Sequence, residues 1–146
     1  MKLKYDVYLA GSMNGRLGRD VLDERHQAKK ICKSLGLTYY DPAGDEVINP
    51  NAVIDTAMTR AKMAFFVRKD FRNLDKCRML VHLTGDKSSS GSAWEMGRAY
   101  YKLRRPIVLV APRMYDKHHT NFTTILATKI CPTQLTALRW VKRKLK

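Results

Sequence analysis

Residues 79–83 read MLVHL, a near-continuous apolar run, and residues 84–90 (TGDKSSS) close it with a polar turn. Residues 91–103 have helical character, Arg105-Pro106 ends them, and a second apolar run follows at 107–111 (IVLVA). A short apolar run between turn signals reads as a strand buried on both faces. Two such strands joined by a helix make a parallel βαβ unit.

The same alternation extends in both directions. Upstream, residues 5–10 (YDVYLA) form a β-rich run ending in Gly11-Ser12. Residues 20–35 carry Val21, Ala28, Ile31, Cys32 and Leu35 at helical spacing, and Gly36 supplies the C-terminal cap. A short strand at 37–40 stops at Asp41-Pro42. From 52 to about 76, Ile54, Ala57, Met58, Ala61 and Phe65 recur at helical intervals. Downstream, a short helical segment is expected at 121–127 and a short strand at 129–131. A final helix is expected at 133–145, with Leu135, Leu138 and Val141 inward. The pattern predicts one α/β domain over residues 1–146, a Rossmann-like, mostly parallel sheet of about five strands flanked by helices. Ligands of such sheets gather at the carboxyl ends of the strands, which selects the loops after Ala10, Leu83 and Ala111.

The composition suits this reading. With 45% hydrophobic and 28% charged residues, the chain can bury a core and lacks the character of a disordered one. No apolar stretch approaches the roughly 20 residues of a bilayer crossing, and the apolar run before Gly11 is too short for a secretory signal. A cytoplasmic location follows as the expectation. Cys32, Cys77 and Cys131 are odd in number and set among apolar neighbours, so buried free thiols are expected in place of disulfides or a metal site. The net charge of +15 favours anionic partners. Its residues are spread along the chain, with no RNA-binding aromatic strand or zinc-finger spacing beside them. A solvated basic surface that draws in a small anion therefore fits better than nucleic-acid binding.

Two loops carry residue types suited to chemistry. In Gly11-Ser12-Met13-Asn14-Gly15-Arg16, glycines admit a ligand to the backbone, and the Ser12 hydroxyl and Arg16 can hold a phosphate. The second loop runs Ser88-Ser89-Ser90-Gly91-Ser92 into Ala93-Trp94-Glu95-Met96-Gly97. Ser92-x-x-Glu95 has the form of a capping box, in which the first-turn macrodipole favours an ionised carboxylate. Gly91 and Gly97 leave space beside Glu95, and an open carboxylate at a strand end is suited to attack an electrophilic carbon. Asp70, in Lys69-Asp70-Phe71-Arg72, reads by itself as a helix-surface ion-pair partner. His118-His119 with Asp116 lacks a third protein ligand for a metal.

These motifs resemble the nucleoside 2-deoxyribosyltransferase-like proteins, which include the 2′-deoxynucleoside 5′-monophosphate N-glycosidases. The likeness runs from Val7 to about Thr128. It rests on Val7-Tyr8-Leu9-Ala10-Gly11-Ser12 as the opening strand and loop, and on Ser90–Ala99 as the glycine-x-x-x-glutamate-x-glycine segment of the nucleophile. Asp70 and Asn121 are placed less specifically. The resemblance implies that Glu95 attacks the anomeric carbon, that Tyr8 hydrogen-bonds Glu95, and that Asp70 protonates or hydrogen-bonds the leaving base. It also implies a homodimer, in which Asn121 reaches the neighbouring site. Where the transferases place an aspartate six residues before the nucleophile this chain has Ser89, as the monophosphate hydrolases do. Asn14 stands where some hydrolases have a phosphate-binding arginine, so Arg16 or Arg19 would take that part.

The expectation is hydrolysis of the N-glycosidic bond of a (deoxy)nucleoside 5′-monophosphate through a glycosyl-Glu95 intermediate. Glu95, Asp70 and Tyr8 would be the catalytic residues. Gly11, Ser12, Asn14, Arg16, Ser89, Gly91 and Asn121 would bind substrate, with no metal or cofactor. The rival enzyme is a nucleoside 2-deoxyribosyltransferase. A non-catalytic nucleotide- or nucleic-acid-binding module is the rival of another class.

Overall fold

A computed structural model describes residues 2–86, 89–112 and 124–146. Five strands, β1 (Tyr5–Ala10), β2 (Tyr39–Tyr40), β3 (Cys77–His82), β4 (Ile107–Val110) and β5 (Lys129–Cys131), form one sheet in the order β2-β1-β3-β4-β5. Every pairing is parallel. Among the described residues four α-helices cover it: α1 (Gly18–Ser34), α2 (Arg60–Leu74), α3 (Ser90–Gly97) and α4 (Gln134–Lys144). This is a doubly wound α/β domain of the Rossmann-like kind. Its strand order reverses between β1 and β3, so the crevice at their carboxyl ends is the switch point where ligands of such sheets bind.

Side-chain alternation sorts the core into two layers. Val7 and Leu9 of β1 join Ala28 and Cys32 of α1 and Leu138 and Val141 of α4 on one face. Tyr8 and Ala10 join Leu74 of α2 and Met96 of α3 on the other. All three cysteines are free and buried, as their apolar neighbours implied. Burial pushes the Cys32 and Cys77 thiols up to about 12. Gly36 follows the last turn of α1 with φ +66°, the left-handed conformation that favours glycine.

Three expectations need correction. The helical spacing from residue 52 does not produce a helix until Arg60, where the Thr59 side chain accepts from the Lys62 amide. Before that, the segment is tied to the β1–α1 loop: Gly15 N donates to Ile54 O and Ile54 N to Arg16 O, both at 2.8 Å. Leu17 and Val53 form an antiparallel bridge. These tertiary bonds outcompete local helix propensity. Phe65 lies on the outer face of α2 at 58% exposure, and the buried residue of that helix is Leu74. In α4, Leu135 faces outward, while Gln134, Ala137, Leu138 and Val141 are buried.

β2 is shorter than expected, and the helix after α3 widens to π geometry over Arg98–Lys102. The helical turn expected at 121–127 is a 3-10 turn at Thr124–Leu126, its first three residues lying outside those described. Among the described residues no helix is long and apolar enough to cross a membrane.

Candidate active site

Tyr8 belongs to the set of β1 residues that faces α2 and α3. Those two helices carry Asp70 and Glu95, and Glu95 feels both the Asp70 charge and the Tyr8 hydroxyl. Tyr8 is fully buried, with its ring centroid 5.7 Å from that of Tyr40. Burial, then the charges of Glu95 and Asp70, push its phenol well above the ordinary value. Tyr8 therefore stays protonated and can serve only through hydrogen bonding.

Glu95 departs from the expectation of a standing anion. Burial first, and then the Asp70 charge, push its carboxyl up to about 8, against the opposing effects of Arg25 and the Tyr8 hydroxyl. The cause lies in where the helix starts. Ser89 is the N-cap, its hydroxyl accepting from Ser92 N at 3.3 Å. The Ser92–Glu95 capping box does not form, and Glu95 falls in the second turn, where the macrodipole has faded and desolvation dominates. Its Oε2 has no hydrogen-bond partner among the described residues, and the Tyr8 hydroxyl acts on it without closing a bond of standard geometry. Asp70 lies 3.8 Å from Lys69 Nζ, the neighbour foreseen for it as an ion-pair partner.

The β1–α1 loop is drawn to the same crevice. Ser12 N donates to Thr84 Oγ1 at 2.8 Å, and the two hydroxyls lie 3.1 Å apart. The Gly11 carbonyl accepts from Arg25. Asn14 Oδ1 accepts from Thr56 N at 3.0 Å, spending that side chain on the 52–59 segment. Arg16 donates to the Ser12 carbonyl at 2.7 Å and forms an ion pair with Glu24 at 3.0 Å. Its charge is therefore paired in this state, and phosphate would have to replace Glu24. At Gly91 and Gly97 an added Cβ would meet nothing within 4 Å, so both sites flanking the Glu95 turn are open. Asn121 lies outside the described residues, as do His118, His119 and Asp116. Among the described residues no three His, Cys, Asp or Glu side chains converge as metal ligands.

Sequence reasoning passed over Arg25 and Asp41. Arg25 is 3% exposed and donates to the carbonyls of Leu9 and Gly11, the latter at 3.0 Å, and to Asp41 at 3.1 Å. Lys29 meets the other Asp41 oxygen at 2.9 Å. The signal was present: position 25 lies on the buried stripe of Val21, Ala28 and Cys32, and a charge on a core stripe requires a buried partner. His82 is buried at the end of β3, where its Nδ1 accepts from Thr84 N at 3.2 Å. Burial and the Arg25 charge hold it down at about 4, so it is neutral.

A cleft of about 490 Å³ lies between the 46–58 segment and Lys62 and Phe66 of α2. Phe66 precedes Asp70 by one turn of that helix, but Tyr8, Asp70 and Glu95 are not among the residues that line the cleft.

The model of the family described as nucleoside 2-deoxyribosyltransferase matches residues 7–126. No curated protein sequence matches the chain. Among solved structures, it is similar to a 2-deoxyribosyltransferase from Bacillus psychrosaccharolyticus at 19% identity and TM-score 0.65, covering 88% of this chain and 87% of that one. It is also similar to a conserved protein from Enterococcus faecalis V583 at 21% identity and TM-score 0.67, covering 96% and 98%. These two are likenesses of fold. The family match takes in β1 with Tyr8, α2 with Asp70 and α3 with Glu95, and on its extent the chain belongs to the nucleoside 2-deoxyribosyltransferase family of enzymes.

Proposed function

We propose that this enzyme hydrolyses the N-glycosidic bond of a nucleoside 5′-monophosphate, with Glu95 as nucleophile and Asp70 as the acid toward the leaving base. The observation that carries the reading is the mutual influence of Tyr8, Asp70 and Glu95, whose Oε2 has no partner among the described residues, by the switch point of the sheet. Burial and the neighbouring Asp70 charge push the Glu95 carboxyl up to about 8, so near neutral pH a proton is retained at this carboxyl pair.

One shared proton meets both demands of the reaction. With the proton on Asp70, Glu95 is free to attack C1′. The C1′–N bond then breaks, its electron pair goes to the base, and Asp70 gives that base the proton. Water next attacks C1′ of the glycosyl ester and loses a proton to Asp70. Glu95 departs as the carboxylate, which restores the starting state. The Tyr8 phenol, kept neutral, orients Glu95 without competing for the proton.

Support for a 5′-phosphate comes from Ser89, a neutral residue at the start of α3, and from the backbone amides of that helix end. The +15 charge favours anionic substrates in the same direction. The homodimer and the contribution of Asn121 belong to the same proposal. One observation favours a second reading, base exchange on unphosphorylated 2′-deoxynucleosides: Glu24 already neutralises Arg16.

Chromatography of the protein incubated with each common nucleoside and 5′-monophosphate, with Glu95→Ala as control, separates the readings. Free base from monophosphates alone, lost in the variant, is the expected result. Release from nucleosides only with an added acceptor base would make it a transferase. Release that persists in Glu95→Ala would remove the nucleophile.

A further inference from the structure

Arg25 is a charged side chain in a core position, and nothing in the reaction as written above uses it. Its guanidinium lies under the carboxyl end of β1. Nη1 donates to the Leu9 carbonyl and to Asp41 Oδ1, and Nη2 donates to the Gly11 carbonyl. The fit is close: a Cβ on Gly11 would stand 3.0 Å from Nη2 and 3.5 Å from Cζ. Leu9 and Gly11 bracket the point where β1 becomes the loop of the crevice, so this one planar fork sets the direction in which the loop leaves the sheet. Asp41, just after β2, holds the fork from behind, and Lys29 is the second cation on that carboxylate.

The same charge reaches the reacting groups. Coulombic influence of Arg25 is felt at Glu95, at Tyr8 and at His82. The charged and titratable groups that act on Glu95 are Tyr8 of β1, Asp70 of α2 and Arg25 of α1. Tyr40 of β2 joins through Tyr8. Asp70 and burial oppose the Glu95 anion, while Arg25 and Tyr8 favour it. Arg25 is 3% exposed, and its Nη atoms donate to Leu9, Gly11 and Asp41, while its buried Nε has no partner among the described residues.

We propose that Arg25 is a positioning residue of this site: its guanidinium locks the Leu9–Gly11 backbone in place and puts a fixed positive charge beneath the Tyr8–Glu95 pair, with Asp41 setting how much of that charge is felt. The proposal rests on Glu95 being the group that must ionise, and its test does not need turnover. The chain has three glutamates, Glu24, Glu46 and Glu95. Carbon-detected NMR of the 13C-labelled carboxyls, with Glu95→Gln assigning the resonance, therefore follows Glu95 directly.

Two variants perturb the charge in opposite senses. Arg25→Met removes the cation and keeps most of the stem; the Glu95 midpoint is expected to rise by about one pH unit. Asp41→Asn removes the counter-charge and leaves the two carbonyl bonds; the midpoint is expected to fall. A residue that only propped up the loop would move both midpoints in the same direction or neither, and that result would overturn the proposal. If Arg25→Met does not fold, the sign of the Asp41→Asn shift decides alone, and a rise or no change refutes the idea. Opposite shifts in a protein that releases no base from any nucleotide would retain the electrostatic role of Arg25 and sink the glycosidase reading instead.

Discussion

Ser12 and Thr84 join the carboxyl ends of β1 and β3 across the switch point, through an amide-to-hydroxyl bond of 2.8 Å and a hydroxyl pair at 3.1 Å. Both residues are buried, so water does not substitute for either partner. Thr84→Val keeps the shape and deletes the acceptor, leaving the Ser12 amide unsatisfied. The expected cost is about 1–3 kcal/mol of stability. Because the loop that Ser12 opens would shift beside Glu95, a fall in kcat of tenfold or more is expected with it. Thermal melts and steady-state rates on the same preparation check both, and an unchanged kcat would show that the link does not position the loop.

Gly18 and Gly91 predict opposite outcomes for the same small change. A Cβ at Gly18 would lie 1.9 Å from the Asn49 carbonyl oxygen, backbone that cannot swing aside. Gly18 N also donates to Ala52 O at 2.8 Å, so Gly18→Ala should push the 49–54 segment off the start of α1. A loss on the order of 3 kcal/mol is expected. At Gly91 an added Cβ meets nothing within 4 Å. Gly91→Ala should melt within a degree or two of the parent protein, yet raise KM if substrate occupies that space. Equal effects on melting and KM in the two variants would contradict the geometry.

The difference between these glycines shows where the sequence was readable. The apolar runs at 79–83 and 107–111 and the helical stripe of Val21, Ala28 and Cys32 are local patterns, and β3, β4 and α1 follow from them. Glu95 and Tyr8 stand out in the sequence because each sits in a short motif attached to a strand end. Asp70 enters the site only through the family resemblance, since the register of α2 against the sheet is fixed by contacts between distant segments. The 52–59 segment was misread for the same reason. Its helical spacing is real, but the amide and carbonyl of Ile54 are taken by Arg16 and Gly15, the Ala52 carbonyl by Gly18 and the Thr56 amide by Asn14. The protonation of Glu95 was misread because a one-turn change in the helix start exchanges a macrodipole effect for a burial effect.

Arg98 holds Asp75 through two bonds, Nε to Oδ1 at 2.6 Å and Nη2 to Oδ2 at 2.7 Å, and its guanidinium lies 4.9 Å from the Phe71 ring centroid. The pair pins the π turn after α3 to the end of α2, and so fixes the helix of Glu95 relative to that of Asp70. The Arg98 hydrogen bond holds the Asp75 carboxyl below its ordinary value. Its contribution is therefore present above the unfolded value near 3.8 and is lost as pH falls through the lower folded value. Arg98→Met should destabilise by about 1–2 kcal/mol at pH 7, after allowance for partial solvent exposure. It should also flatten that acid-side loss of stability. Chemical denaturation at pH 7 and at pH 3 measures both terms, and an unaltered acid profile would mean that the pair carries no net energy.

Glu95 runs in the reverse sense. Its folded value of about 8 exceeds the ordinary 4.5, so between these limits the folded chain keeps a proton that the unfolded chain has released. Stability is then full below pH 4.5, declines as pH rises, and levels off above about 8. Glu95→Gln removes the titration while keeping size and shape. It should match the parent near pH 4.5 and exceed it at pH 8.5 by on the order of 2–4 kcal/mol. The same variant should lose base release entirely, since an amide cannot attack C1′. Denaturant titrations of both proteins from pH 4.5 to 9 read the crossover directly. Parallel stability curves would mean that Glu95 is ionised in the folded enzyme after all, and the single shared proton on which the Asp70 role depends would have to be placed elsewhere.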